Sequence, residues 1–517
     1  MRLISLLALL AGAVHAPALW AVTCTTLTTG GNWGTAANWT CTAGGAHVPL
    51  AGEDVVVNRN FTVDIATNSV ASLTVSAGTL TQNAGLTIQA GGALNVAGGT
   101  LTSNSTIGAG GPTNVSAGTF TPSSSSSRIF TGLVTVSGGT WNGGANNRAA
   151  TFQGGINVTG GTFTPGTGTM TFNTSNQDIN GSIAIAIPSV AVAAGITLTN
   201  KVATGTGLTV STTLGATGTL DNQGVLNVGF AGPPGLTLTA TTVGNTVNYS
   251  RANTQTIKNT TYHHLTLSNT SAKTAGGALT VNGDFTITGT ATFNGGTSLT
   301  HSFAGNWVVN TTAATPFAFT TTSILNFNTP ATPAQTSIGG STVATLAFND
   351  VNINNTSGVV FNDNASFSTG TTPALTVASG ALVSAAPTVV ISGTGTLTGP
   401  GAGNGTVQVT RTGADAFLTQ YTITTKTLTN LTVEYAGAAA QTVSNTTYSG
   451  GMKVNNTSGV SLAANTTVGG TLTLASGNLT ATGFTLITSA ACNAPSVSRT
   501  SGHVIGNLQK AIPAGAS

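Results

Sequence analysis

Charge is scarce in this chain of 517 residues, which carries 13 Lys and Arg and 10 Asp and Glu, only 4% of the sequence. Ordinary globular domains carry about 25%, so this fold cannot lean on networks of ion pairs. A net charge of +3 without any basic run excludes partners held by charge, nucleic acid and anionic lipid among them. Aromatics are also few, at 5%. Low aromatic content can signal disorder, but disorder also needs sparse Val, Ile and Leu, and here apolar residues make up 39% and recur periodically. Beyond the N-terminus no run of 18 uninterrupted apolar residues appears, so no membrane span is expected. Three cysteines permit at most one internal bridge. Cys24 and Cys41 are the candidate pair, with two free thiols as the alternative, and Cys492 is left over.

The N-terminus reads as a secretory signal peptide over residues 1–21. Arg2 supplies the positive charge, Leu3 to Val14 the short apolar run, and small residues allow cleavage after Ala18 or, by preference, Ala21. A Sec-type signal of this kind places the mature chain outside the cytoplasm, secreted or at a bacterial cell surface.

What the sequence has in abundance is repetition. Val75-Ser-Ala-Gly-Thr79-Leu80 returns as Val96-Ala-Gly-Gly-Thr100-Leu101, Val115-Ser-Ala-Gly-Thr119-Phe120, Val136-Ser-Gly-Gly-Thr140-Trp141 and Val158-Thr-Gly-Gly-Thr162-Phe163, with threonines 21, 19, 21 and 22 residues apart. Apolar and small polar residues alternate inside each unit, the period of a half-buried strand, and the following glycine reads as a turn. Coils of about 21 residues that cannot bury their own apolar side chains must stack, which predicts an all-β fold, a right-handed parallel β-helix or β-solenoid. Inward residues such as Val96 and Val136 should then tolerate no charge.

Short coils are expected over residues 58–170 and a longer module over 171–487. Phe172 leads to Gln177 and Ile179, Tyr249 to Gln255 and Ile257, Phe327 more loosely to Gln335 and Ile338, and Tyr435 to Gln441 and Val443. Two of these copies continue in parallel, Thr261-Tyr262 matching Thr447-Tyr448 and Asn269-Thr270-Ser271 matching Asn456-Thr457-Ser458. Residues 22–57, with Trp33 and Trp39, form an atypical segment suited to capping the first coil and covering its open edge. Residues 488–517 read as the start of a further domain or a linker.

The Trp33 and Trp39 pair, the Val48-Pro-Leu-Ala-Gly-Glu-Asp-Val-Val-Val57 run and the glycine-threonine coils together resemble large bacterial surface proteins of the adhesin-like β-helix type. The aromatic modules and Ser501 to Leu508 resemble the same proteins where they pass into downstream domains. The resemblance implies a secreted or cell-surface protein with an adhesive or scaffold role, with glycans or other surface and matrix components as partners.

No catalytic, cofactor-binding or metal-binding set stands out, and the chain is expected not to be an enzyme. Polysaccharide lyase or glycosidase chemistry needs converging carboxylates or a carboxylate-held cation, and no pair among the ten acids recurs at the coil spacing beside a Lys or Arg. His263 and His264, read as neighbours on a strand, should face opposite sides and make a poor metal site. Ser123 to Ser127 reads as a flexible loop leaving the column. The candidate binding surface is a threonine array: Thr79 and Thr81, Thr100 and Thr102, Thr119 and Thr121, and Thr162 and Thr164 should flank inward Leu or Phe residues and stack into two columns. Such an array suits many weak contacts with a repetitive partner, and its geometry also suits ice-lattice water, the alternative reading beside a carbohydrate-active enzyme.

Overall fold

Alternation decides the fold. In the computed structural model, Leu94–Val96, Thr113–Val115 and Val134–Val136 each bury their first and last residues and half-expose the middle one. The structure describes residues 21–144, 147–202, 207–319, 322–332, 334–340, 345–368, 374–488 and 497–510. Residues 1–20, within the segment expected to be a signal peptide, and Cys492 lie outside them. The chain is a β-solenoid of parallel stacked coils, and its contacts group into two compact units divided after Gly143.

In the first unit each coil has three sides. One side stacks Ser72–Val75, Leu94–Val96, Thr113–Val115 and Val134–Val136 in parallel register. The second stacks Thr79–Gln82, Thr100–Ser103, Thr119–Pro122 and Thr140–Asn142. The third stacks Leu86–Ile88, Ile107–Ala109 and Arg128–Phe130. Like therefore sits on like: Leu73 on Leu94, Val75 on Val96, and Val96 on Val115 on Val136. Each of these side chains is fully buried, so the core is a continuous aliphatic column.

The glycines after these strands serve the expected turn where φ is positive, as at Gly161 with 69°, and another purpose elsewhere. Gly78 does adopt a positive φ of 66°, but the equivalent Gly99, Gly118 and Gly139 do not. At those three positions a Cβ would meet the backbone of the coil alongside, for example Gly99 O at 2.3 Å from Gly118 and Gly118 O at 2.5 Å from Gly139. Close approach of coil to coil requires glycine there.

Residues 22–53 form the first coil, and Asp54–Val57 opens the second. Thr23–Thr26 and Asp54–Val57 pair in parallel, while Trp39–Cys41 lies antiparallel on Thr23–Thr26 and occupies the sheet edge. Cys24 and Cys41 face each other across that antiparallel pair and are bridged. Trp33 and Trp39 meet edge to face at 4.9 Å between ring centroids, and Trp39 meets Phe61 of the next coil at 4.8 Å. Arg128 lies inside the column with its guanidinium wrapped by oxygen: Nη1 donates to Ser126 O, and Nη2 to Ser103 O and Ser124 Oγ. The serine segment expected to leave the column thus supplies the acceptors that allow a buried cation.

In the second unit one long side runs through Val225–Val228, Thr246–Tyr249, His264–Leu267, Phe285–Asn294 and Trp307–Thr311, all parallel. A cluster of rings built around Trp307, with Phe303, Phe317, Phe327 and Phe348 at 5.0 to 5.6 Å, fills the wider interior. The Tyr249 and Tyr435 copies of the aromatic-to-glutamine module share a structural cause that the Phe172 and Phe327 copies lack. Lys258 N–H donates to Tyr249 Oη, which contacts Tyr262 Oη at 2.9 Å, and Tyr262 donates back to Lys258 O. The same closed loop links Ser444, Tyr435 and Tyr448. Burial pushes the Tyr249 and Tyr435 hydroxyls up to about 12, so both stay protonated donors.

The module glutamines plug the turn: Gln255 Nε2 donates to Val228 O and Phe230 O, and Gln441 Nε2 to Val409 O and Arg411 O. Gln335 of the looser copy is exposed and the buried Thr336 stands where Gln441 does, with Asn355 donating to Ala334 O and Thr336 Oγ1 as Asn456 donates to Ala439 O and Gln441 Oε1. A short helix, Ala416–Gln420, interrupts the strands, with Phe417 packed against Tyr421 and Tyr448. Parallel pairing also continues past residue 487, since Val497–Arg499 pairs with Thr471–Ser476 and Val504–Lys510 with Leu479–Thr488.

Lys273 is fully buried in the second unit, its ammonium donating to Arg251 O and Asn253 O. Burial, and secondarily the Arg251 charge, lowers its pKa to about 8. The unfolded value is about 10.4. Between those pH values the unfolded chain holds a proton that the folded chain has released, so folding stability rises with pH through this window. Relative to a Lys273→Met variant, the unfolding free energy of the wild type is expected to climb from pH 8 to 10.5 and then level off. Urea titrations at five pH values check this, and a constant difference would show that Lys273 keeps its ordinary pKa.

Candidate functional site

The threonines expected to form an array are placed as follows. Thr79, Thr100, Thr119 and Thr140 are in direct register on one column, and Thr81, Thr102 and Thr121 on the next. Leu80, Leu101 and Phe120 between them are fully buried, so both threonines of each rung point outward, each half-exposed. The second column starts earlier than the repeat suggested, because Thr62 pairs with Thr81 and Asn32 with Thr62. Trp141 is buried in the following rung and packs on Phe120 at 4.5 Å, while Asn142 takes the outward place. Thr162 and Thr164 belong to the second unit, where both are exposed around a half-buried Phe163.

A second polar column lies on another side of the first unit and escaped the sequence reading. Thr74, Asn95, Asn114 and Thr135 are in register, with Asn114 Nδ2 donating to Asn95 Oδ1 at 2.9 Å and Asn95 Nδ2 to Thr74 Oγ1 at 3.3 Å. The second unit repeats the device: Asn248 donates to Asn227 Oδ1, Asn352 to Asn326 Oδ1 and Asn354 to Asn328 Oδ1. The signal was present in Leu94-Asn95-Val96 and Thr113-Asn114-Val115, where asparagine holds the outward place in two successive coils. The outer faces therefore carry rows of uncharged donors and acceptors at the strand spacing of about 4.8 Å.

The ionisable groups are dispersed, and most are occupied. Asp178 pairs with Lys201 at 2.7 Å and the buried Glu434 with Lys453 at 3.0 Å. Asp54 accepts from Ser72, Asp64 from Gly34 N–H and Asp221 from Gln223. His263 and His264 do not face opposite sides. The strand begins only at His264, so alternation does not govern His263, and the two rings meet edge to face at 4.2 Å. Both Nδ1 atoms accept backbone N–H groups, from Gly244 and Asp284, which commits each neutral ring to carrying its proton on Nε2. Burial and the neighbouring His264 hold His263 below its usual pKa.

His263 borders a groove of about 440 Å³ in the second unit, lined also by Thr241, Val243, Asn282, Ala304 and Ala331. Val243 is 83% exposed at its rim. The described residues contain one group able to hold a metal ion, Cys24, Cys41, His47 and Glu53. No helix among the described residues is long and apolar enough to cross a membrane. Comparison with protein families, with curated proteins and with solved structures returned no match to this chain.

Proposed function

We propose that this is an exported structural and adhesive surface protein, whose repetitive uncharged faces contact glycans or other surface components through many weak contacts. The observation that carries the reading is the in-register stacking of Thr62, Thr81, Thr102 and Thr121 beside Thr79, Thr100, Thr119 and Thr140. A rigid row of hydroxyls offers a repetitive partner several identical contacts at once, and avidity then grows with the number of rungs engaged. With charged residues at only 4%, binding should change little as salt rises. The β-solenoid suits this role because the faces of its coils are held by backbone pairing on both sides and lose little entropy on contact.

The test replaces Thr81, Thr102 and Thr121 together by Val, which keeps the branched shape favoured in strands and removes only the hydroxyls. Attachment to immobilised glycans is expected to fall at least about tenfold, corresponding to about 1.4 kcal/mol across three rungs, while thermal unfolding is nearly unchanged. Unaltered attachment would restrict this face to a scaffold role. Thermal hysteresis measured on the same samples separates glycan contact from ice binding.

A further inference from the structure

Four side chains of different chemistry converge in the first coil. His47 Nε2 lies 3.0 and 3.1 Å from the Glu53 carboxylate oxygens and 3.9 Å from Cys24 Sγ. Glu53 Oε2 lies 3.3 Å from Cys24 Sγ, and the donor atoms of Cys24, Cys41, His47 and Glu53 are all within 4.8 Å of one another. Tetrahedral zinc, with bonds of about 2.3 Å to sulfur and about 2.0 to 2.2 Å to nitrogen and oxygen, sets its ligand atoms roughly 3.4 to 3.8 Å apart. The two sulfurs are bridged and must part before they can take up that spacing.

Two outer contacts orient the set. The Gly45 carbonyl lies 3.1 Å from His47 Nδ1, which leaves Nε2 facing the Glu53 carboxylate with Cys24 Sγ beyond at 3.9 Å, and Leu50 N–H donates to Glu53 Oε2 at 2.8 Å. Such partners of the ligands fix ring orientation and carboxylate position at zinc centres. Glu53 is 8% exposed and is held there by His47 Nε2 and Leu50 N–H, so its carboxylate is fixed beside Cys24 Sγ.

We propose that, once the Cys24–Cys41 bridge is reduced, Cys24, Cys41, His47 and Glu53 close a four-ligand zinc site. The same coil is then held either by a disulfide or by a metal ion. Reduction by a phosphine breaks the S–S bond. Phosphorus takes an oxygen atom from water to become the phosphine oxide, and the two hydrogens of that water end on the two sulfurs. Zinc(II) then displaces both thiol protons, and the imidazole binds through Nε2 with its remaining proton on Nδ1. Two thiolates, one imidazole and one carboxylate suit zinc in donor type and number.

The experiment uses the full chain with Cys492→Ser, reduced with a phosphine and titrated with cobalt(II) as the probe. One equivalent is expected to give sulfur-to-metal charge-transfer bands and the intense visible bands of a tetrahedral ion, both abolished by zinc(II). The oxidised chain and the Cys24→Ser/Cys41→Ser variant should give neither. Affinity should drop at least about tenfold in His47→Ala and in Glu53→Gln. Should reduction loosen the coil, the emission of Trp33 and Trp39 follows it, and added metal must restore the original spectrum. Absent bands in the reduced chain, equal bands in the double-serine variant, unchanged affinity in both His47→Ala and Glu53→Gln, or unrestored emission would each overturn the site.

Discussion

Val136→Asp is expected to abolish cooperative folding of the first unit, whereas Thr140→Asp, four residues on, should leave it intact. Val136 is fully buried and sits in register on Val115, which sits in turn on Val96. A carboxylate there would sit in the apolar column, and an unpaired buried charge costs several kcal/mol, comparable with the entire stability of a typical domain. Stacking spreads the damage, because each coil buries its apolar face only against its neighbours. Thr140 points outward and is half-exposed, so its carboxylate would stay hydrated. Denaturant unfolding with tryptophan emission reads both variants. Partial recovery of Val136→Asp at acid pH, where the new carboxyl is neutral, identifies charge rather than shape as the cause. A cooperative transition of wild-type size at neutral pH would place Val136 outside the column.

The second large effect is expected from a single methyl group. In Gly118→Ala the new Cβ would lie 2.3 Å from Gly99 O and 2.8 Å from Val96 Cγ1. The oxygen belongs to the backbone of the coil alongside and cannot rotate away, so the coils must separate, at a cost of about 1 to 3 kcal/mol. Gly108→Ala is the matched control. Its Cβ would meet nothing within 4 Å, and its φ is not positive, so the variant should be neutral or more stable by about 0.4 to 1 kcal/mol through a stiffer unfolded chain. Equal unfolding midpoints for the two variants would contradict the close approach at Gly118.

Much of the fold was legible because a solenoid writes its geometry into spacing. Threonines 19 to 22 residues apart mark successive rungs, and alternation about Leu101 and Phe120 marks which residues face inward. The Tyr249 and Tyr435 modules were recognisable for the same reason, since a closed loop of hydroxyl and backbone groups demands its tyrosines at a fixed interval of 13 residues. Less was legible where several local solutions satisfy one requirement. Gln335 resembles Gln255 in sequence, but the neighbouring Thr336 takes the buried place, which the loose spacing of that copy did not reveal. The buried Arg128 was hidden because two of the oxygens that accept from its guanidinium belong to Ser103, 25 residues earlier.

Composition and periodicity by themselves determined the all-β class, the parallel stacking and the inward and outward sense of the threonine rungs, because strand alternation and coil length are local properties of the chain. Only the tertiary structure decided what depends on contact between coils. It required glycine at Gly99, Gly118 and Gly139 for close approach, aligned Asn95 with Asn114, brought the rings of His263 and His264 together, and gathered His47 and Glu53 around Cys24 and Cys41. These are pairings across space, and their distances are set by how coils lie on one another and how the loops between strands fold back.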